Sequence, residues 1–259
     1  MPKRIEFFGP MGAGKSTIYK LLKKKMIGGA FAPATFCPAR QQKKRILLAE
    51  AKQMSLLHWA ALKVLGKVLP IKANLITNKI TASAWQALEA RSGLFGPFID
   101  HAMHGRDAEK VELIQVLKRM SWFIREVTDV ALLDEFAHAD IILHEQSLFQ
   151  CGLAFGFGYE QGKTFIKKYF RLVPESSAVI HVSGQADVLV ARVEQRDGPI
   201  SRHLKHIKEG IMYSRIACDV LKERGIPVIE VDGCGELKET VEYCIAELQK
   251  VLIPLHKPQ

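Results

Sequence analysis

The segment Gly9-Pro10-Met11-Gly12-Ala13-Gly14-Lys15-Ser16-Thr17 follows the phosphate-binding loop pattern: a glycine, four free positions, then Gly-Lys-Ser. Each residue type in it has a chemical reason. Backbone N–H groups wrap a polyphosphate only where glycines permit φ > 0 and leave no side chain in the way. A helix that starts just after the loop puts its partial positive charge beneath the anion. Lys15 is then placed to reach the β- and γ-phosphates of ATP, and the Ser16 hydroxyl to ligate Mg²⁺. The binding set expected from the pattern is Gly9, Met11, Gly12, Ala13, Gly14, Lys15, Ser16 and Thr17.

A second group of candidates lies in the C-terminal half. Ile141-Ile142-Leu143 reads as a buried strand running into His144-Glu145-Gln146-Ser147. Ligands sit at the carboxyl ends of strands in a parallel sheet, so Glu145 is expected to point toward the glycine loop. Two roles suit it: holding Mg²⁺ through water, or accepting the proton of an attacking hydroxyl. A plain cap on the next helix is the alternative. Arg192 and Arg196 share one helix face, and Arg202 follows a Gly-Pro break. Guanidinium forks of this kind stabilise the charge that spreads over a transferring phosphoryl group. Residues 195–203 would be the closing lid that carries them, against the blander reading of three exposed arginines. Arg40 is a weaker substrate-side candidate. His101 and His104 stand three apart, but without an obvious third ligand they read as solvent-facing.

The elements that must position these groups alternate in type. Ile5, Phe7 and Phe8 form a strand before the loop. Ile18, Leu21 and Leu22 make a helical stripe after it over Lys15 to Lys25. Prolines extend Ala32 to Pro38 into a second strand or the loop that replaces it. From Gln41 to about His138 the pattern is helical, with stripes such as Ile76, Ile80, Ala84, Leu88 and Val111, Ile114, Leu117, Phe123, Val127, Val130. This predicts a helical insertion at about 41–138 that holds the acceptor. Ala178 to Val182 and Ile226 to Val231 are further strands. Helices are expected over Ala186 to Arg196 and from about Glu236 to Val251. Strands alternating with helices call for an α/β fold, a parallel sheet covered on both faces in a single domain spanning 1–259.

The glycine loop, the His144-Glu145-Gln146-Ser147 strand end, the Arg192/Arg196 helix and the closing Gly225-Ile226-Pro227-Val228-Ile229-Glu230-Val231-Asp232-Gly233 together resemble the P-loop kinases of the thymidylate and deoxynucleoside kinase type. The chain is also similar to thymidylate-kinase-like proteins of bacterial surface-polysaccharide clusters. The resemblance implies a P-loop NTPase three-layer fold with five parallel strands in the order 2-3-1-4-5, ATP as donor, and an arginine-bearing lid. It also implies that the loop around Asp232 and Gly233 borders the adenine. Two departures stand out. Deoxynucleoside kinases carry Glu-Arg-Ser where this chain has Glu145-Gln146-Ser147, and the Asp-Arg pair of thymidylate kinases is absent. The acceptor is therefore left open between a nucleoside- or nucleotide-like and a sugar-like molecule.

The bulk properties narrow the alternatives. Hydrophobic residues at 48% and charged ones at 25% of 259 residues suit a globular domain. A formal net charge of +10 steers anions toward the protein. ATP, a phosphorylated acceptor, nucleic acid and an anionic surface all qualify. The lysines are dispersed instead of forming a stripe with interleaved aromatics, so nucleic acid is not expected. A regulatory GTPase needs Asp-x-x-Gly after its third strand and a later Asn-Lys-x-Asp; Asp232-Gly233-Cys234-Gly235 comes too late, and Asn78-Lys79-Ile80-Thr81 lacks the aspartate. The alternative function is thus a P-loop ATPase or GTPase acting as a nucleic-acid-binding or regulatory module. Met54 to Pro70 would fit a membrane surface, although packing is the preferred reading. Five cysteines without a C-x-x-C pair, a strand near the start and no long apolar run favour the cytoplasm. A homodimer is compatible with the resembling families.

Overall fold

In a computed structural model the described residues are 2–32, 34–39, 41–43, 45–46, 86–90, 92–104, 112–199 and 204–252. Five strands pair in parallel in the order β2-β3-β1-β4-β5. They are β1 (Lys3–Phe8), β2 (Phe36–Pro38), β3 (Ile141–His144), β4 (Ala178–Ser183) and β5 (Val228–Asp232). The order is the one the resemblance implies, and β2 lies inside the expected extended stretch. In register, Glu6 stands beside His144, Phe8 beside His181, and Ser183 beside Asp232. The carboxyl ends of β1, β3, β4 and β5 are thereby brought to one edge, where the glycine loop begins.

Helices cover both faces. The chain runs through α1 (Lys15–Lys25), α2 (Phe95–His104), α3 (Leu113–Phe136), α4 (Leu148–Gly156), α5 (Gly162–Leu172), α6 (Ala186–Asp197), α7 (Ile207–Glu223) and α8 (Leu237–Leu252). Alternation along β1 sends Ile5 and Phe7 to one side, where Ile18, Leu22, Leu189, Val193, Val241 and Leu248 meet them from α1, α6 and α8. Phe8 goes to the other side, into a core with Val127, Leu148, Phe149, Phe170, Ala217 and Leu221. Leu21, expected in the α1 stripe, is 37% exposed; Tyr19 is buried instead.

The described part of the expected insertion is helical and is continuous with the main core. Leu88, Leu94, Phe98, Ala102, Val116 and Phe123 belong to the same buried cluster as Phe8 and Leu148. Phe98 stacks on Phe123 with ring centroids 3.5 Å apart and meets Phe155 edge-on at 4.3 Å. His101 is not solvent-facing as the sequence suggested. It is half-buried and stacks on Phe165 at 3.9 Å, and burial lowers its pKa to about 4. The stretch Met54 to Pro70, Arg40 and Arg202 lie outside the described residues. No helix among the described residues is long and apolar enough to cross a membrane.

Beneath the loop, β1 carries an ion network that the sequence did not announce. Arg4 Nε lies 2.7 Å from Glu6 Oε1, and its Nη1 donates to Asp134 at 2.8 Å. Arg4 Nη2 donates to the Pro174 and Glu175 carbonyls, and Ser176 Oγ donates to Glu6. Arg4 and Glu6 are buried, so each is tolerable only with its partner present. The network ties α3 and the approach to β4 onto the strand that delivers the loop.

Candidate active site

The loop adopts a conformation that its glycines alone allow. Gly9, Gly12 and Gly14 have φ of 147°, 80° and 87°. A Cβ on Gly9 would lie 2.1 Å from the Val182 carbonyl oxygen, so the loop seats directly on β4. Gly9 N–H donates to Gln150 Oε1 at 3.2 Å, which fixes the start of the turn from α4. α1 begins at Lys15. Thr17 and Ile18 N–H return to the Gly14 carbonyl, whereas Lys15 and Ser16 precede any intrahelical acceptor. This backbone fits a phosphate chain.

Lys15 folds back over the turn. Its Nζ donates to Gly9 O at 2.9 Å and Pro10 O at 2.7 Å. Burial, with the Arg196 charge as a smaller cause, lowers its pKa to about 7. An anion on the loop would restore the ammonium form.

The loop forms one wall of a cleft of about 1220 Å³. Met11 to Ile18 line it, and so do Arg192, Arg196, Asp232, Gly233 and Thr240. Arg192 bridges two parts of that wall, its Nη1 donating to Gly233 O at 2.9 Å and to Gly12 O at 3.4 Å. Arg196 is more exposed and paired with Asp197 through two bonds of 2.8 and 2.7 Å. Gly233 packs so closely that a Cβ there would meet the Ala13 carbonyl oxygen at 1.7 Å. Asp232 Oδ1 accepts the Cys234 N–H and shapes the turn after β5.

The rest of the lining is side chain. Glu112, at the start of α3, is followed by Gln115, Lys118, Arg119 and Trp122 on one α3 face, and Gln146 and Gln150 come from the β3–α4 end. Arg119 Nη1 donates to Phe157 O at 2.9 Å, and Trp122 Nε1 donates to Glu126 Oε1 at 3.0 Å, so both are held in place. His206, ahead of α7, also faces the cleft and stacks on Phe157 with centroids 5.1 Å apart.

Among the expected site residues, Met11 to Thr17, Arg192, Arg196, Asp232 and Gly233 line this cleft, whereas Gly9 seats the loop on β4 and does not line it. Glu145 sits half-buried one residue beyond β3 and does not line it; Gln146 does. The α3 wall, Gln150 and His206 were missed. The spacing 115, 118, 119, 122 is a helical face of polar and aromatic residues, and Gln146 and Gln150 are four apart in an otherwise apolar segment. Those two patterns were the available signals.

A glycine turn between a parallel strand and a helix, in a sheet of this order, decides the architecture. The fold is that of the P-loop NTPases. Neither a protein-family model nor a curated protein matches the chain. Among solved structures it is similar to deoxyadenosine kinase from M. mycoides with bound dATP, at 13% identity, with 95% of this chain and 99% of that one covered and a TM-score of 0.48. It is also similar to shikimate kinase from Acinetobacter baumannii in complex with shikimate, at 14% identity, with 99% and 97% covered and a TM-score of 0.37. Likeness at this level carries no chemistry across. The functional reading rests on the cleft.

Proposed function

We propose that the chain is an ATP-dependent phosphotransferase that moves the γ-phosphoryl group to a small nucleoside-, nucleotide- or sugar-like acceptor. One observation supports this: a backbone wall of glycine turns and a set of polar side chains from α3 line one cleft. At about 1220 Å³ the cleft exceeds the usual space for a single small ligand and suits a donor and an acceptor together.

The roles follow from position. The loop N–H groups and Lys15 hold the β- and γ-phosphates. Arg196, exposed at the cleft and paired with Asp197, offsets the charge of the transferring group once it turns from that carboxylate, whereas Arg192 keeps the loop and the β5–α8 turn together. Arg202 belongs to the same proposal as a lid residue. The turn of Asp232 and Gly233 borders the nucleoside end of the donor. Lys118 and Arg119 favour an acceptor that carries an anionic group, and Trp122 offers it a flat face. Ser16 would hold Mg²⁺, with Glu145 acting through water; the ion would neutralise phosphate charge and orient the chain. Glu145 is alternatively the base for the acceptor hydroxyl, which requires its side chain to turn toward the Gln146 side of the strand end.

A screen with labelled ATP across nucleosides, nucleotides, sugars and lipid-linked sugars tests the proposal. Acceptor-dependent ATP consumption supports it. Hydrolysis that is indifferent to every acceptor but stimulated by nucleic acid would support the regulatory alternative instead.

A further inference from the structure

A second polar cluster lies on the sheet face beneath α7, outside the cleft lining. His181 on β4 and Glu230 on β5 are register partners, and Cys218 comes down on them from α7. One ligand atom from each lies within 4.8 Å of the other two. The His181 side chain is 3% exposed, yet neither ring nitrogen has a hydrogen-bond partner. Its Nδ1 stands 3.7 Å from Glu230 Oε2, too long for a hydrogen bond. A buried imidazole with neither nitrogen hydrogen-bonded carries a desolvation cost that the long approach of Glu230 offsets only in part.

We propose that His181, Cys218 and Glu230 form a binding site for a borderline-soft divalent cation of the zinc type. A nitrogen, sulfur and oxygen donor set suits that ion. Ligand bonds of about 2.0–2.3 Å place tetrahedral donors about 3.5 Å apart, so the cluster needs to contract by about an ångström. Glu230 is 49% exposed and gives the ion its access from the β5 edge; Cys218 is buried and closes the inner side. Lys222 bonds Glu230 Oε1 and leaves Oε2 facing His181. Coordination is balanced: the Cys218 thiol loses its proton to solvent, neutral His181 donates a lone pair, and thiolate plus carboxylate offset the two positive charges. Water completes the sphere. The ion would brace α7 against β4 and β5, just behind Phe8, the last residue before the glycine loop.

The test is titration of the full chain, stripped with chelator, by Co²⁺ as a spectroscopic probe. A near-ultraviolet thiolate–cobalt band is expected to saturate at one equivalent and to be displaced by Zn²⁺. It should vanish in Cys218→Ser and persist in Cys234→Ser. Glu230→Gln alters an exposed position, so folding is not at issue, and it should weaken Co²⁺ binding by about tenfold or more. Absence of the band, its survival in Cys218→Ser, or unchanged affinity in Glu230→Gln would overturn the site. None of these readouts depends on phosphoryl transfer.

Discussion

The two walls of the cleft are built from different material. On the glycine-loop side the wall is backbone, and side chains are excluded by contacts as close as the Gly233–Ala13 and Gly9–Val182 approaches. On the α3 side, long polar side chains project from a helix whose other faces still expose Leu113, Ile114, Leu117 and Ile124. A backbone wall tolerates almost no substitution and recognises what all nucleotides share. A side-chain wall can be rewritten residue by residue, so on the proposed reading it is where acceptor identity would reside. Substitutions on the two sides should therefore fail in different ways.

The largest effect expected is on the donor wall. Lys15→Ala should lower turnover by about a thousandfold or more, while the circular dichroism spectrum stays that of the parent. Retention of most of the turnover would break the assignment. Glu145→Gln should lower kcat by about a hundredfold and leave ATP affinity nearly unchanged. Equal loss of both would make Glu145 a binding residue. Gly233→Ala forces a methyl group into the Ala13 carbonyl and should cost about 3 kcal/mol in denaturant unfolding, with weakened nucleotide binding. A silent alanine there would mean that the two turns are not packed together. Across the cleft, Arg119→Ala should raise the acceptor KM by about tenfold and lose about 1 kcal/mol with the Phe157 bond, but leave the ATP KM within about twofold. An ATP-side effect would erase the distinction between the walls.

The smallest effect is a proton. With Lys15 lowered to about 7, the free protein at pH 8 holds it mostly neutral, and a bound polyphosphate draws the proton back. Nucleotide binding at pH 8 should show proton uptake by calorimetry in two buffers of different ionisation heat. Lys15→Met should abolish it. The unfolded chain binds this proton up to its ordinary 10.5, so the burial penalty on folding is relieved as pH rises from about 7 toward 10.5.

The same contrast explains how much could be seen in the chain alone. The glycine loop has one workable backbone solution, so its sequence reports its geometry directly, and the flanking strand and helix followed. The strand order came with the resemblance. The α3 wall was obscured because that helix is apolar on several sides. Periodicity placed Ile114 and Leu117 in the core, but each is 50% exposed and Val116 is the buried residue. A stripe fixes spacing and leaves rotation about the axis to tertiary packing. Glu145 shows the other limit: knowing that a residue ends a strand does not say which way the next side chain turns.

The contact of Gly233 with Ala13 has a further consequence. Two turns that touch backbone to backbone, and are strapped by Arg192, form a single stiff block. On the proposed reading, such a block would move as one piece when a nucleotide enters or leaves. The conformational freedom on this wall lies instead at the α6 terminus, where Gly198 adopts φ 86° with no neighbour in the way of a side chain. If the chain transfers phosphoryl groups as proposed, the pace of nucleotide exchange would be set at that terminus, on the glycine-loop wall.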